Sequence, residues 1–132
     1  MNLFARTFSH VWHSGKEMFS VSRFFRWSMF ISFVIVILIV LLPLWKLSPA
    51  GAADRQFIPL HYNVYFGTDQ FGIWYQVFIL PAIGASLLII NTMFQAVFYH
   101  REHVLSYFFA LTTLLAELAL FASMVFIILL NL

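Results

Sequence analysis

The fold is decided by residues 27–45, WSMFISFVIVILIVLLPLW, a stretch that contains no ionisable side chain. A helix of about 20 apolar residues crosses the hydrocarbon core of a bilayer, which is about 30 Å thick. Trp27 and Trp45 stand at its ends, where aromatic side chains favour the interface between lipid and water. The stretch therefore predicts a membrane-spanning helix.

Two further apolar stretches, residues 73–99 and 105–130, predict a second and a third span. The 132 residues are 63% hydrophobic and 9% charged, whereas soluble domains are about 45–50% apolar and about 25% charged. We therefore expect an all-α integral membrane fold whose main partner is the lipid bilayer. It divides into a basic segment at residues 1–26 and a three-span domain at residues 27–132, with an outer loop at residues 46–72.

The N-terminal segment at residues 1–26 is basic and contains Arg6, Lys16, Arg23 and Arg26. Apolar residues at helical spacing between these cations predict an amphipathic helix that lies in the membrane interface and is interrupted at Gly15. The alternative is a loosely ordered basic tail. A cation excess next to a span is an orientation signal, so we expect no nucleic-acid partner.

The distribution of cations also predicts the topology. The outer loop carries Lys46 and Arg55, and the turn between the second and third spans carries Arg101. The most basic flank stays in the cytoplasm. We expect a multi-pass protein of the plasma (inner) membrane with a cytoplasmic N-terminus and an extracytoplasmic C-terminus.

A cleaved signal peptide is the competing interpretation of the first span. A basic start and an apolar core precede the small residues Ala50, Gly51 and Ala52, which resemble a cleavage site. However, the apolar core of a signal peptide is about 7–15 residues long. The longer run at residues 27–45 favours an uncleaved anchor.

Polar residues inside the second and third spans predict a seam between these helices. A tight antiparallel hairpin through residues 100–103 places Glu117 opposite Ser86 and Thr112 opposite Asn91. The predicted seam consists of Ser86, Asn91, Gln95, Thr112, Thr113 and Glu117. It is either a proton or ion relay, a docking point for a partner helix, or structural, with a protonated Glu117 joining helices at about 1 kcal/mol.

Signals of catalysis and of metal binding are weak. Histidines occur in two pairs at spacing three, His10 with His13 and His100 with His103, which makes a metal or haem site conceivable but is common on surfaces. The sequence contains no cysteine, no glycine-rich phosphate loop and no metalloprotease or nucleophile motif. We expect no enzymatic activity, no cofactor and no metal.

The outer loop contains a cluster of turn formers and aromatic residues, IPLHYNVYFGTDQFG at residues 58–72. Asn63 and Gly67 tolerate left-handed conformations, and Asp69 can bond to its own backbone. We expect a compact lid on which His61 and Asp69 form a polar pair, preceded by a flexible lead at residues 48–54. The candidate binding residues are His61, Asn63, Tyr65, Gly67, Asp69 and Gly72.

The spacing of the polar residues in this loop and the next span resembles a known pattern. The pattern consists of Pro59, His61, Asn63, Asp69, Gly72 and Pro81. It resembles a bacterial membrane domain of unknown function, which reads P-x-H-F-N, a glycine, then D and G before a proline-containing helix. That domain occurs at the N-terminus of SdpI-type proteins, which confer immunity to a secreted peptide toxin and participate in signalling.

The resemblance covers about residues 57–90, and Gly67 lies one position later than is usual in that domain. The segment is also similar to small membrane proteins of candidate-phylum bacteria that carry LHYN-x-YFG-x-D. It implies a bacterial membrane protein and marks His61, Asn63, Gly67, Asp69 and Gly72 as the residues of interest.

Three functions are compatible with these observations. The first is an interaction module that binds or senses a partner or small ligand through the outer loop. The second is a structural accessory subunit of a larger membrane complex, with other membrane-protein subunits or further copies of itself as partners. The third is proton or ion conduction through Glu117, which would require oligomerisation because three helices do not enclose a pore.

Overall fold

The computed structural model describes residues 3–47 and 57–131, and side chains from residue 9 onward. The elements follow in the order α1 (Leu3–Val21), α2 (Arg23–Lys46), β1 (Ile58–Asn63), β2 (Gly67–Gly72), a short 3-10 helix (Trp74–Phe78), α3 (Ile79–Phe98) and α4 (His103–Leu130). The predicted flexible lead at residues 48–54, the small residues at 50–52 and Arg55 lie outside the described residues.

Three helical segments in the described part of the chain are long and apolar enough to cross a membrane. They are α2 with 24 residues, the 3-10 helix joined to α3 with 25 residues, and α4 with 28 residues. Each coincides with one of the three predicted spans, and α2 begins at Arg23 rather than at the first tryptophan. The helices therefore support a membrane-embedded protein.

Proline positions agree with where these helices begin and end. Pro43 lies one turn before Lys46, the last residue of α2, so the helix ends where its ring can be accommodated. Pro81 lies in the first turn of α3, directly after the 3-10 helix. The missing amide of Pro81 costs little, because the first N–H groups of a helix lack intrahelical partners in any case, whereas Pro43 removes the bond that an amide there would donate to the Ile39 carbonyl.

The expectation of an all-α fold was wrong in one respect, because the outer loop contains a two-stranded antiparallel sheet. In its register Ile58 faces Gly72 and Asn63 faces Gly67, with irregularities on both sides of His61. These irregularities break the period-two alternation that identifies a strand in a sequence. The segment therefore resembles a turn-rich loop in its sequence although it forms a hairpin.

The described residues form two compact units, the first within residues 1–34 and 85–116 and the second within residues 35–84 and 117–132. In the first unit, Met18, Phe25, Tyr99 and Ala110 form a buried cluster. The Phe25 ring meets the Tyr99 ring edge-on, with centroids 5.8 Å apart. This aromatic contact joins α2 to the end of α3, and Met18 brings α1 into the same cluster.

The N-terminal segment is helical, but it is not interrupted at Gly15. Helix α1 runs from Leu3 to Val21, and an added Cβ at Gly15 would lie 3.8 Å from Ala96 Cβ. Glycine costs about 1 kcal/mol in a helix interior, and close packing against α3 offsets that cost. Tertiary packing therefore overrides the local propensity.

The second unit has its own apolar core at the hairpin end of the helices. Its buried residues are Ile35, Ile39, Leu47, Ile58, Val77, Met124, Ile127 and Ile128. Ile58 belongs to β1, so the first strand is part of this core rather than a free appendage. A Cβ at Gly84 would lie 3.4 Å from Leu120 Cδ1, an ordinary contact distance, so α3 packs against α4 at this position.

Candidate functional site

The candidate site is the β1–β2 hairpin, whose turn is shaped by Asn63 and Gly67. The side-chain Oδ1 of Asn63 accepts a hydrogen bond of 2.9 Å from the backbone N–H of Tyr65, an arrangement typical of Asx turns. Gly67 has a φ of +74° and is the only described residue with a positive φ. Of the two predicted left-handed positions, Gly67 is confirmed, whereas Asn63 contributes through its side chain.

His61 and Asp69 form the polar pair that the sequence predicts. The distance between His61 Nδ1 and Asp69 Oδ1 is 2.7 Å. Because a carboxylate can only accept, the ring Nδ1 carries the hydrogen of this bond. The two side chains are 59% and 34% exposed, so a partner molecule can reach them.

The irregular register of the hairpin explains why these two side chains meet. His61 pairs with Gln70 and Tyr62 with Thr68, so Asp69 is the extra residue of β2. Bulges of this kind re-aim side chains next to functional sites. The bulge at Asp69 accompanies its contact with His61, on the exposed part of the hairpin.

The base of the hairpin is fixed by α4 and by the start of the 3-10 helix. The Asn131 side-chain amide donates to the Pro59 carbonyl at 2.9 Å and to the Ile127 carbonyl at 2.8 Å. Ile58 is 3% exposed. Strand β1 is therefore held by a buried side chain and by a hydrogen bond between residues 72 positions apart.

Gly72 ends β2 at a position where the ends of two neighbouring side chains occupy the place that a Cβ would take. A Cβ at this position would collide with Gln76 Oε1 and with Leu60 Cδ1. The same Gln76 oxygen accepts a hydrogen bond of 3.1 Å from the Ile73 N–H. The role of Gly72 is therefore to let the strand pass closely over the first turn of the following helix.

The end of the hairpin presents a surface that we call the tip, formed by Val64, Tyr65 and Phe66. These side chains are 84%, 90% and 84% exposed. Phe71, on β2, is also largely exposed, at 61%. Three adjacent exposed apolar side chains at one end of an anchored hairpin are typical of a contact surface.

One contact between two residues of the predicted polar seam occurs in the first unit, and a second contact between α3 and α4 involves the backbone of Gln95. Asn91 Nδ2 donates to Thr113 Oγ1 at 2.9 Å, and Thr113 in turn donates to the Phe109 carbonyl at 2.7 Å. The Ser106 hydroxyl donates to the Gln95 carbonyl at 3.0 Å. These contacts fit the predicted antiparallel pairing of the two helices.

The other seam residues lie in different surroundings. Thr112 is exposed and donates to the carbonyl of Phe108 in its own helix, at 2.8 Å. Thr113, the next residue, is the one that meets Asn91. Ser86 is exposed on α3, and Glu117 is fully buried on α4. The predicted pairing of Glu117 with Ser86 stays a prediction.

The histidine pairs do not form a metal site within the described residues, where no group of three or more potential ligands occurs. His100 Nε2 instead lies 3.0 Å from a carboxylate oxygen of Glu17. This ion pair joins α1 to the turn after α3 within the first unit. Its exposed position is typical of a surface contact.

Asn131 and Ser106 are site-supporting residues that the sequence reasoning missed. Asn131 follows the last apolar residue of α4, where it resembles a residue of the chain terminus rather than a partner of β1. Ser106 lies next to the turn at residues 100–103, where a serine is common. Only the antiparallel pairing of α3 with α4 would have pointed to Ser106 as a neighbour of Gln95.

Comparison with known proteins gives no match: no protein-family model, no curated protein and no solved structure is significantly similar to this chain.

Proposed function

We propose that this protein is a non-enzymatic, membrane-anchored recognition module whose hairpin binds another protein outside the cytoplasm. The observation that carries the proposal is the tip, in which Val64, Tyr65 and Phe66 are each more than 80% exposed. Aromatic residues are enriched at protein interfaces because they bury a large area at a low cost in conformational entropy.

The anchoring of the hairpin supports this function. Binding is weakened when a loop must first be ordered, because each immobilised side chain costs about 0.5–1.5 kcal/mol. The Asn131 bond to Pro59 and the buried Ile58 hold the base of the hairpin before any partner arrives. The tip is thus presented on a preorganised support.

The contact between His61 Nδ1 and Asp69 Oδ1 supplies the polar part of the proposed interface. Charged groups next to an apolar contact contribute to orientation and specificity more than to affinity. Both side chains are accessible and lie on the strands that lead to the tip. The partner is therefore expected to carry an apolar pocket for the tip and hydrogen-bonding groups beside it.

The proposed membrane arrangement follows from the cations. Lys16, Arg23 and Arg26 precede the first span, which favours a cytoplasmic N-terminus and an extracytoplasmic hairpin and C-terminus in a plasma (inner) membrane. The resemblance to the N-terminal domain of SdpI-type proteins is in keeping with a bacterial membrane protein that has an interaction role.

A photo-crosslinking amino acid at Tyr65 tests the proposal in the source membrane. We expect irradiation to give discrete adducts with one protein species. The matched control is the same amino acid at Phe126, an apolar position of α4 that is 66% exposed. We expect this position to give lipid adducts.

Two outcomes would contradict the recognition module. Adducts with lipid alone at Tyr65 would show that the tip rests in the headgroup region. Protein adducts at Phe126 without any at Tyr65 would favour the accessory subunit, because they would place the partner against a helix face. Glu117 has no part in either experiment, so conduction is tested separately by a Glu117→Gln variant in a liposome flux assay.

A further inference from the structure

The first unit contains an apolar groove of about 880 Å³ beside the N-terminal helix. Val11, Trp12, Lys16 and Phe19 of α1 line one side, and α2 and α3 form the remainder. Small-molecule sites commonly have volumes of about 300–1,000 Å³ and mostly apolar walls. The groove is thus large enough for a specific ligand, and it lies outside the hairpin.

The groove exists because α1 has two adjacent faces with different contacts. Ser14 and Met18, four residues apart, are buried in the first unit. Trp12, Lys16 and Phe19 are neighbours on an adjacent face of the same helix, since residues three and four apart share a face. Trp12 and Lys16 on this second face are exposed, whereas Phe19 also packs against the buried cluster, and together they form a wall of the groove.

The opposite side of the groove is supplied by spanning helices. Thr92, Met93 and Ala96 of α3 and Met29 of α2 line it. Because α1 meets α3 closely at Gly15 and Ala96, the longer side chains beside this contact leave a space between them. The ligand of such a space in a membrane protein would enter from the surrounding lipid.

Lys16 is the one charged residue among the described groove-lining residues. Its Nζ lies 5.2 Å from the centroid of the Trp12 ring, which places the ammonium group beside an apolar wall. The adjacent carboxylate, Glu17, lies 3.0 Å from His100 instead. The groove therefore combines an apolar interior with a positive charge, and it has no described acidic lining residue.

We propose that this groove binds an anionic phospholipid, with an acyl chain between α1 and the spanning helices and the phosphate beside Lys16. A lysine buries its aliphatic stem along apolar surface and keeps its charge at the polar interface. A basic residue near the membrane surface contributes about 1 kcal/mol toward anionic lipids. The site would tie the N-terminal helix to one leaflet, independently of what the hairpin binds.

The test uses the full chain in nanodiscs that contain equal amounts of phosphatidylglycerol and phosphatidylcholine. Native mass spectrometry after gentle release counts the retained lipids and identifies their headgroups. We expect the wild type to retain one lipid and to prefer phosphatidylglycerol by about fivefold. Lys16→Gln is expected to retain both lipids equally.

The matched control for charge is Arg23→Gln, which removes a nearby exposed cation that does not line the groove. It is expected to keep the preference of the wild type. A preference unchanged in Lys16→Gln, or lost equally in both variants, would overturn the assignment of the phosphate to Lys16.

A second pair of variants tests the acyl-chain part of the site. Thr92→Trp fills the groove, whereas Ile90→Trp adds the same ring at a position of α3 that is 50% exposed and does not line it. We expect lipid retention to fall several-fold in Thr92→Trp alone. Equal retention in the two tryptophan variants, or no lipid retained by the wild type, would overturn the proposal. Circular dichroism verifies that both variants keep their helices, and Lys16→Gln is an independent test should Thr92→Trp not fold.

Discussion

The hairpin and the α3–α4 seam both contain polar side chains at hydrogen-bond distance, but their surroundings are opposite. His61 and Asp69 lie 2.7 Å apart with 59% and 34% of their side chains exposed. Asn91 and Thr113 lie 2.9 Å apart between two apolar helices, and Thr113 is 2% exposed. Similar distances therefore occur in surroundings that differ in exposure to water.

The difference in exposure indicates which pair is available for binding. His61 and Asp69 can contact a partner, whereas Asn91 and Thr113 contribute to the packing of the helices. An exposed ion pair contributes about 0–1 kcal/mol because water solvates both partners. A hydrogen bond between helices in a membrane contributes about 0.6 kcal/mol on average and up to about 1.7 kcal/mol. The hairpin must accordingly owe its stability to backbone geometry and to its anchored base rather than to its polar pair.

The largest expected effect is that of Gly72→Ala, which tests the dependence of the hairpin on backbone geometry. The new Cβ would collide with Gln76 Oε1 and Leu60 Cδ1, and overpacking costs about 1–3 kcal/mol. Thermal unfolding in detergent, followed by tryptophan fluorescence, should show this loss. Gly15→Ala is the control, since an added Cβ there would lie at an ordinary contact distance of 3.8 Å from Ala96 Cβ and alanine favours a helix.

A Gly72→Ala variant as stable as Gly15→Ala would contradict the explanation that the hairpin requires a glycine at position 72. A Leu60→Ala substitution in the Gly72→Ala background removes one of the two colliding groups. Partial recovery of stability in that double variant is the expected sign of a steric cause.

An intermediate effect is expected for Asn91→Leu, which tests the seam. The substitution removes the donor to Thr113 while its apolar side chain remains compatible with the span. We expect the free energy of unfolding to fall by about 1 kcal/mol in mixed detergent micelles. Ile90→Leu, one residue earlier and half exposed, controls for the added leucine, and equal stability of the two variants would argue against a structural seam.

The smallest effect on stability is expected for His61→Ala. Loss of an exposed pair should change the free energy of unfolding by less than about 1 kcal/mol, while the yield of protein adducts from the Tyr65 crosslinker should fall. Asp69→Asn gives the same test from the other partner, with little change in size. A destabilisation as large as that of Gly72→Ala would assign the pair a structural role instead.

Local composition was sufficient to predict the helices and some of the hairpin. Long apolar runs predict helices, because in lipid the backbone groups must be satisfied within the segment itself. Gly67 and the contact of His61 with Asp69 depend on residues close in sequence, and both were predicted. The strands were not, because the bulge at Asp69 breaks the alternation that would have indicated them.

Features that depend on contacts between residues far apart in the chain were not predicted from the sequence. Gly15 was expected to interrupt α1, but the helix continues through it where α1 packs against Ala96 of α3. The sequence predicted Thr112 opposite Asn91, whereas the structure places Thr113 there. The difference is a rotation of the helix about its axis. A shift of one residue changes direction by about 100° on a helix of 3.6 residues per turn, which a sequence pattern does not resolve.

The sequence by itself determined the three apolar helices, the basic flank and the turn chemistry of the hairpin. These properties depend on composition and on interactions between residues close in the chain. Such interactions can be read from a short segment without knowledge of the rest of the fold. The tertiary structure decided that Asn131 holds the base of β1, that Gly72 passes over Gln76 and that Lys16 lines an apolar groove. Each of these requires segments far apart in the chain to meet, and the physical reason is packing, which depends on the shapes of both partners at once.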